Sequence, residues 1–242
     1  MIGVQYASLW KSSEMLMDGF RPSAESAWRL IAVALMWVLL AFASSLIAGF
    51  LIGFSGILLQ VPWRVRIYGY AGDFAAMSIL LMSAIVRGRI IGRGSVSEGL
   101  GNHPVKNRTV VLCLALVAIG YAFVMRFFLV GRTIYDLGAA GSTALWLATF
   151  EILRLVVIAP LAEEGLCRGW LWTGLQKRWG PLTTILVTSV FWLACHAGIV
   201  PAKLIALIPI AFVLGFARHF GQSVRAPILL HSVYNFADIG IP

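Results

Sequence analysis

From Trp28 to Leu59 the chain runs through one apolar stretch whose single charge is Arg29. In hydrocarbon a backbone must satisfy its own hydrogen bonds, which leaves only a helix or a closed barrel. A bilayer crossing takes ~20 residues, so a stretch this long must tilt, kink at its glycines or extend beyond the lipid. Further apolar spans are predicted at about 68–86, 110–130, 182–200, 203–217 and 226–241. Between them, residues 144–178 read as one long helical unit, interrupted at Pro160 and stopped by Gly180-Pro181. The expected fold is all-α: a polytopic transmembrane helical bundle of about seven spans.

Composition agrees. The 242 residues are 60% hydrophobic and 12% charged, where a soluble domain carries about 25% charged residues. The net charge of +9 does not indicate nucleic acid, because the bases lie in short loops between apolar spans. Lys11, Arg21, Arg29, the bases of 87–109, Lys177, Arg178, Arg218 and Arg225 fall on one side, and Arg64, Arg66, Arg132 and Lys203 on the other. By the positive-inside bias the amino terminus is cytoplasmic and the carboxyl terminus outside. Cys113, Cys167 and Cys195 lie in or beside apolar spans without a CxxC pair, so neither a disulfide framework nor a thiolate metal site is expected. Residues 1–27 lack the apolar core of a cleavable signal peptide. Within them, residues 6–20 form either a short interfacial helix or an unstructured leader.

The polar groups inside the apolar spans carry the chemistry. Glu163-Glu164-Gly165-Leu166-Cys167-Arg168 holds two carboxylates and one base. Ionisable groups at membrane depth are costly and face a cavity or one another. Glu164 and Arg168 are four apart, on one helix face, in the favourable acid-before-base order. Glu163 is turned about 140° from Arg168. Glu164–Arg168 is thus read as a structural pair, and Glu163 as free for chemistry. His196 ends the run Phe191-Trp192-Leu193-Ala194-Cys195-His196. His231 and Asn235 share a helix face, which Asp238 extends. One histidine in an apolar helix is more often a packed core residue. Two of them, with an amide and a spare carboxylate, favour a site. Glu163 and His196 lie sixteen or seventeen residues either side of Trp179-Gly180, which in antiparallel helices gives both the same depth, about 25 Å from the turn. His231, six residues past Arg225, comes out shallower unless its helix begins deeper.

These residues resemble the CPBP family: CAAX prenyl endopeptidases and bacteriocin-processing or self-immunity proteins, described as glutamic-type intramembrane proteases. Glu163, Glu164 and Arg168, preceded by Ala159-Pro160, match its first motif, His196 its second, and His231 with Asn235 its last. Gly215 fits the glycine of the span between. The chain departs from the family at Cys167 and Trp192, where phenylalanine is usual, and Phe191 stands one position before Trp192. Both are lining positions and bear on the substrate pocket more than on the chemistry. The resemblance covers about residues 145–238.

The resemblance implies peptide hydrolysis with Glu163 activating a water, His196 assisting, and His231 and Asn235 stabilising the oxyanion. The residues themselves agree on Glu163, since a carboxylate in a low-dielectric site is a usable base. Glu164, Arg168 and Asp238 are expected to support the site, and Leu166, Trp170, Phe191 and Trp192 to line an apolar pocket opening to the cytoplasmic half or laterally into lipid. No cofactor is required. The mechanistic alternative is zinc held by Glu163, His196 and His231, although no His-Glu-x-x-His is present. A Cys195–His196 thiol mechanism is disfavoured, because neighbours on a helix diverge by ~100°. Glu151–Arg154 is read as a buried ion pair, and Asp73 and Arg126, each about five residues from the outer end of its span, as a pair across helices.

The organisation expected is an interfacial segment (1–27), three accessory spans with their loops (28–143) and a CPBP-like catalytic core of the last four helical segments (144–242). The partners are the lipid bilayer and a membrane-embedded or lipidated peptide or protein substrate, not nucleic acid. The location is a bacterial cytoplasmic membrane, crossed several times. Two other classes remain open: a non-catalytic self-immunity or assembly subunit with the same fold, and a small transporter.

Overall fold

The computed structural model describes residues 26–59, 64–129, 149–150, 152–196 and 201–239, without the side chains of 53–59, 64–70, 126–129 and 202. Among the described residues every regular element is helical. The segment 6–20, Glu151 and the Arg126 side chain lie outside the description.

Helix α1 is Ala27–Leu59 and α2 is Arg64–Ile91. They close together where Gly72 meets Ser45, since a Cβ on Gly72 would lie 2.7 Å from Ser45 Oγ. The short α3, Val96–Leu100, is capped at both ends: the Ser95 hydroxyl accepts from Glu98 N–H, and Gly101 stops the helix at φ 63°. That left-handed conformation costs glycine no Cβ clash. Helix α4 is Arg108–Leu129. A composite follows, in which α5 (Ala159–Glu164) is flanked by π-helical turns at Arg154–Ile158 and Gly165–Leu171 and leads into α6 (Trp172–Cys195). Helices α7 (Pro201–Gly221) and α8 (Arg225–Ile239) complete the chain.

The interruption expected at Pro160 is corrected by the structure. The backbone stays helical through Pro160, which sits in the first turn of α5, the part of a helix that tolerates proline. The irregular residue is Gly169, at φ −85° and ψ −107°. The break expected at Gly180-Pro181 is present: Gly180 takes φ 71° and ψ 176° and folds α6 back on itself.

The runs alternate between two ends of the bundle. At one end Trp28 packs edge-on against Trp179 at 5.5 Å, Val224 N–H donates to Gly101 O, and Asn107 Nδ2 donates to Phe220 O. This end gathers the loop after α2, Lys177 and Arg218, which the charge bias assigned to one side. At the other end Arg154 Nη1 reaches Asp73 Oδ2 at 2.8 Å, and Lys203 faces Asp238 at 3.9 Å. Asp73 thus takes Arg154 as a partner, an ion pair between helices that spacing along one helix does not reveal.

Among the described residues four segments are long and apolar enough to cross a membrane: Ala27–Ile52, Ala71–Ile91, Arg108–Met125 and Lys203–Gly221. Helix α8 is shorter, at 15 residues. Helices α1 and α4 turn Leu39, Phe42, Phe50, Leu112, Leu116 and Phe123 outward, a continuous apolar surface that water would not tolerate and lipid does. Their inward faces offer small residues (Ala34, Ala118, Ala122), which let helices approach where no hydrophobic force drives them together. Apart from Leu30 of α1, the large buried side chains lie instead in 166–234, among them Leu166, Trp170, Leu171, Leu175, Trp192, Leu214 and Leu230. This is an integral membrane protein whose tightly packed part is its last four helical runs.

Candidate active site

Glu164 lies at the centre of the packed runs, fully buried. Its Oε1 accepts from Arg168 Nη1 at 3.3 Å and from His231 Nδ1 at 3.0 Å. Both Glu164 and Arg168 side chains are 0% exposed, so each depends on the other for charge compensation. Arg168 also donates from Nη2 to Ala211 O at 2.8 Å, and Ser189 Oγ donates to the same carbonyl at 2.9 Å. One arginine thereby ties the Gly165–Leu171 turn to α7, with α6 joined at the same oxygen.

Glu163 points elsewhere, as the helix geometry predicts. Its Oε2 accepts from Trp192 Nε1 at 2.7 Å and faces His196 Nε2 at 3.8 Å. The Glu163 and His196 side chains keep 14% and 25% of their exposure. The matching depth expected of the two residues is realised. His196 is the C-cap of α6, and its Nδ1 lies 2.9 Å from Trp192 O. A carbonyl can only accept, so Nδ1 carries a proton, and a ring with that single proton presents its Nε2 lone pair towards Glu163.

Trp192 organises this corner. Its ring stacks on His196 with centroids 4.2 Å apart, meets His231 edge-on at 5.6 Å, and lies 5.7 Å from Arg168 Cζ. The sequence reading treats it as a lining residue and misses its role as donor. A signal was available: a buried indole N–H needs an acceptor, and the spare carboxylate one helix away is one. Leu166, Trp170 and Phe191 are also buried, with Arg87 Cζ 5.3 Å from the Trp170 ring. Cys167 is buried and Cys195 exposed.

Asn235 has a local reason to be where it is. The Ala159 N–H bonds back to Arg154 O, five residues away. The next carbonyl, Leu155 O, would take its π-type bond from residue 160, which is proline and has no N–H. Asn235 Nδ2 fills that place at 2.8 Å. The Ala159-Pro160 pair and the asparagine are thus parts of one device that docks α8 on the Arg154–Ile158 turn. Asn235→Ala should destabilise the protein by about 1–3 kcal/mol by stranding a carbonyl. Pro160→Ala, which restores a backbone N–H, should recover part of that loss in the double variant. Thermal melts of the four proteins in detergent test this, and strictly additive losses would refute it.

The expectation of a shallower His231 is resolved by where α8 starts. Six residues from Arg225 to His231 cover about 9 Å, whereas the path from Gly180 to Glu164 is sixteen residues, roughly 24 Å if regular. Both paths end at the same carboxylate, so the Gly221–Arg225 turn is recessed by more than about 10 Å relative to Trp179-Gly180. Asp238 faces Lys203 at the far end of α8, away from Glu163.

Of the groups singled out by sequence, four therefore form two clusters, Glu163–His196 and Glu164–His231, joined by Trp192. Among the described residues no group of three His, Cys, Asp or Glu side chains is arranged to hold a metal ion. Glu163 and His196 face each other, while His231 Nδ1 is engaged by Glu164 and its Nε2 is the ring nitrogen left for another partner.

No curated protein matches the chain, and no solved structure does. A family model described as type II CAAX prenyl endopeptidase Rce1-like matches residues 144–237, the segment that contains both clusters and all the packed runs around them. Over that segment the chain is similar to the Rce1-like family of CAAX prenyl endopeptidases.

Proposed function

We propose that the protein is an intramembrane endopeptidase that hydrolyses a peptide bond in a membrane-associated, lipid-modified substrate, with Glu163 as the base. The observation that carries the reading is the division of labour between adjacent carboxylates. Glu164 is neutralised by Arg168, while Glu163 is half-sheltered, held by one indole N–H and faced by an imidazole lone pair. A water beside the 3.8 Å gap between Glu163 Oε2 and His196 Nε2 can donate one hydrogen to each. Its own lone pair is then free to attack a carbonyl carbon. Glu163 takes the proton as the C–O bond forms and returns it to the leaving amine.

The oxyanion donors in this reading are His231 and Asn235. His231 donates from Nδ1 to Glu164, so its Nε2 is a donor only when the ring is protonated. Asn235 commits one amide hydrogen to Leu155 O and keeps a second for the oxyanion. No resident metal is needed in this reading. We read the bundle with its basic end in the cytoplasm.

Trp192→Phe isolates the indole N–H, because the ring stack on His196 survives and the bond to Glu163 does not. We expect stability to fall by about 1–3 kcal/mol, mostly from the cavity left by the smaller ring, with kcat reduced several-fold and the pH profile of kcat displaced. An unchanged profile would show that the N–H is not felt by the base.

The test of the function is cleavage of a prenylated carboxyl-terminal peptide by purified protein in liposomes. Elemental analysis and chelator treatment of the same sample form a second arm. The expected result is turnover that survives chelation, with no stoichiometric zinc. One tightly bound zinc per chain, lost on both His196→Ala and His231→Ala, would replace the glutamate mechanism. Absence of cleavage, together with membrane proteomes unchanged by Glu163→Gln, would assign the fold to a non-catalytic subunit.

A further inference from the structure

At the basic end, on the side away from Glu163, a cavity of about 430 Å³ is lined by Arg218, Lys177, His103, His219, Glu98 and Gly101, with polar groups of α6 between them. It occupies the notch left where the Gly221–Arg225 turn is recessed and the first half of α6 runs on beyond it. We infer that this cavity binds a phosphate group, carried by an anionic lipid headgroup or by a free phosphate ion.

Arg218 carries the argument. It is 6% exposed, and its Nε donates to Arg168 O at 2.8 Å. Trp172 backs the guanidinium, with its ring centroid 5.6 Å from Cζ. No carboxylate among the described residues pairs with Arg218, and its Nη1 and Nη2 have no hydrogen-bond acceptor there. A buried guanidinium with one edge fixed and the other turned to a cavity is a fork awaiting a planar or tetrahedral oxyanion. Gly101 makes this possible, because a Cβ at that position would collide with Arg218 Nη2.

The walls are held in place before any ligand arrives. Lys106 N–H donates to Gly221 O at 2.9 Å, Val224 N–H to Gly101 O at 3.1 Å, and Asn107 Nδ2 to Phe220 O at 3.0 Å. Ser223 Oγ donates to His103 O, and Arg225 Nε to Asn102 Oδ1 at 2.6 Å. Such preorganisation lowers the cost of binding. The cavity's one carboxylate, Glu98, faces His103 at 3.8 Å, and the two cations Lys177 and Arg218 outnumber it. Basic pockets between transmembrane helices at the membrane surface suit phospholipid headgroups, and this one opens at the end where the bases gather.

The test is the melting temperature of the full chain in mild detergent. One arm titrates phosphatidylglycerol against phosphatidylcholine, and a second titrates inorganic phosphate against chloride at equal ionic strength. The expected result is stabilisation by phosphatidylglycerol or phosphate, with the apparent affinity weakened roughly tenfold or more in Lys177→Gln/His219→Gln and in Arg218→Lys. A rise with phosphatidylglycerol alone identifies a lipid headgroup, and a rise with inorganic phosphate identifies the free ion. If Arg218→Lys does not fold, the Lys177→Gln/His219→Gln pair carries the test. No rise over the phosphatidylcholine and chloride controls, or a rise equal in wild type and variants, overturns the inference.

Discussion

Glu163→Gln is expected to lower the rate of peptide cleavage by about 10²–10⁴-fold, the range typical of a lost general base, while leaving the melting temperature at the wild-type value. The second half of that expectation follows from the contacts. A glutamine oxygen still accepts from Trp192 Nε1, and the side chain is only partly buried, so neither a charge nor a donor is stranded. The first half follows from what an amide lacks, since it cannot take a proton from water. Glu163→Asp should fall between the two, because its carboxylate survives but retreats by one methylene from both Trp192 and His196. The measurement is kcat on a prenylated peptide in liposomes, with detergent melts of the same preparations. Full activity of Glu163→Gln would remove Glu163 from the chemistry. Loss of activity together with loss of folding would mean that the residue is structural.

Glu164→Gln should behave in the opposite way, with stability failing first. The Arg168 guanidinium is 0% exposed and loses its carboxylate, and an uncompensated buried charge costs roughly 3–5 kcal/mol. His231 would lose its charged partner at the same time. The discriminating experiment is a double-variant cycle. Glu164→Gln combined with Arg168→Met removes both charges, and the pair should be destabilised by less than the sum of the single changes. Some loss will remain, because Arg168 also donates to Ala211 O. If the two losses simply add, the ion pair is not what holds these segments together.

The sequence by itself determined whatever depends on one helix at a time. Apolar length alone required membrane helices, because an unpaired backbone is not tolerated in hydrocarbon. The four-residue spacing put Glu164 and Arg168 on one face, and the adjacent position turned Glu163 away, by helical geometry alone. Gly180-Pro181 fixed the turn, and equal chain lengths on either side brought Glu163 and His196 to one level.

Only the tertiary structure decided the partners that come from other helices. Asp73 meets Arg154, eighty-one residues away, because their helices pack side by side. Trp192 becomes the donor to Glu163 because α6 folds back at Gly180 and presents its indole to the carboxylate. His231 reaches Glu164 because the turn before α8 is recessed. Pro160 reads in sequence as an interruption, yet the helix continues through it, because Asn235 on another helix supplies the hydrogen bond that proline withholds. Spacing determines which groups share a face, and packing determines what that face meets.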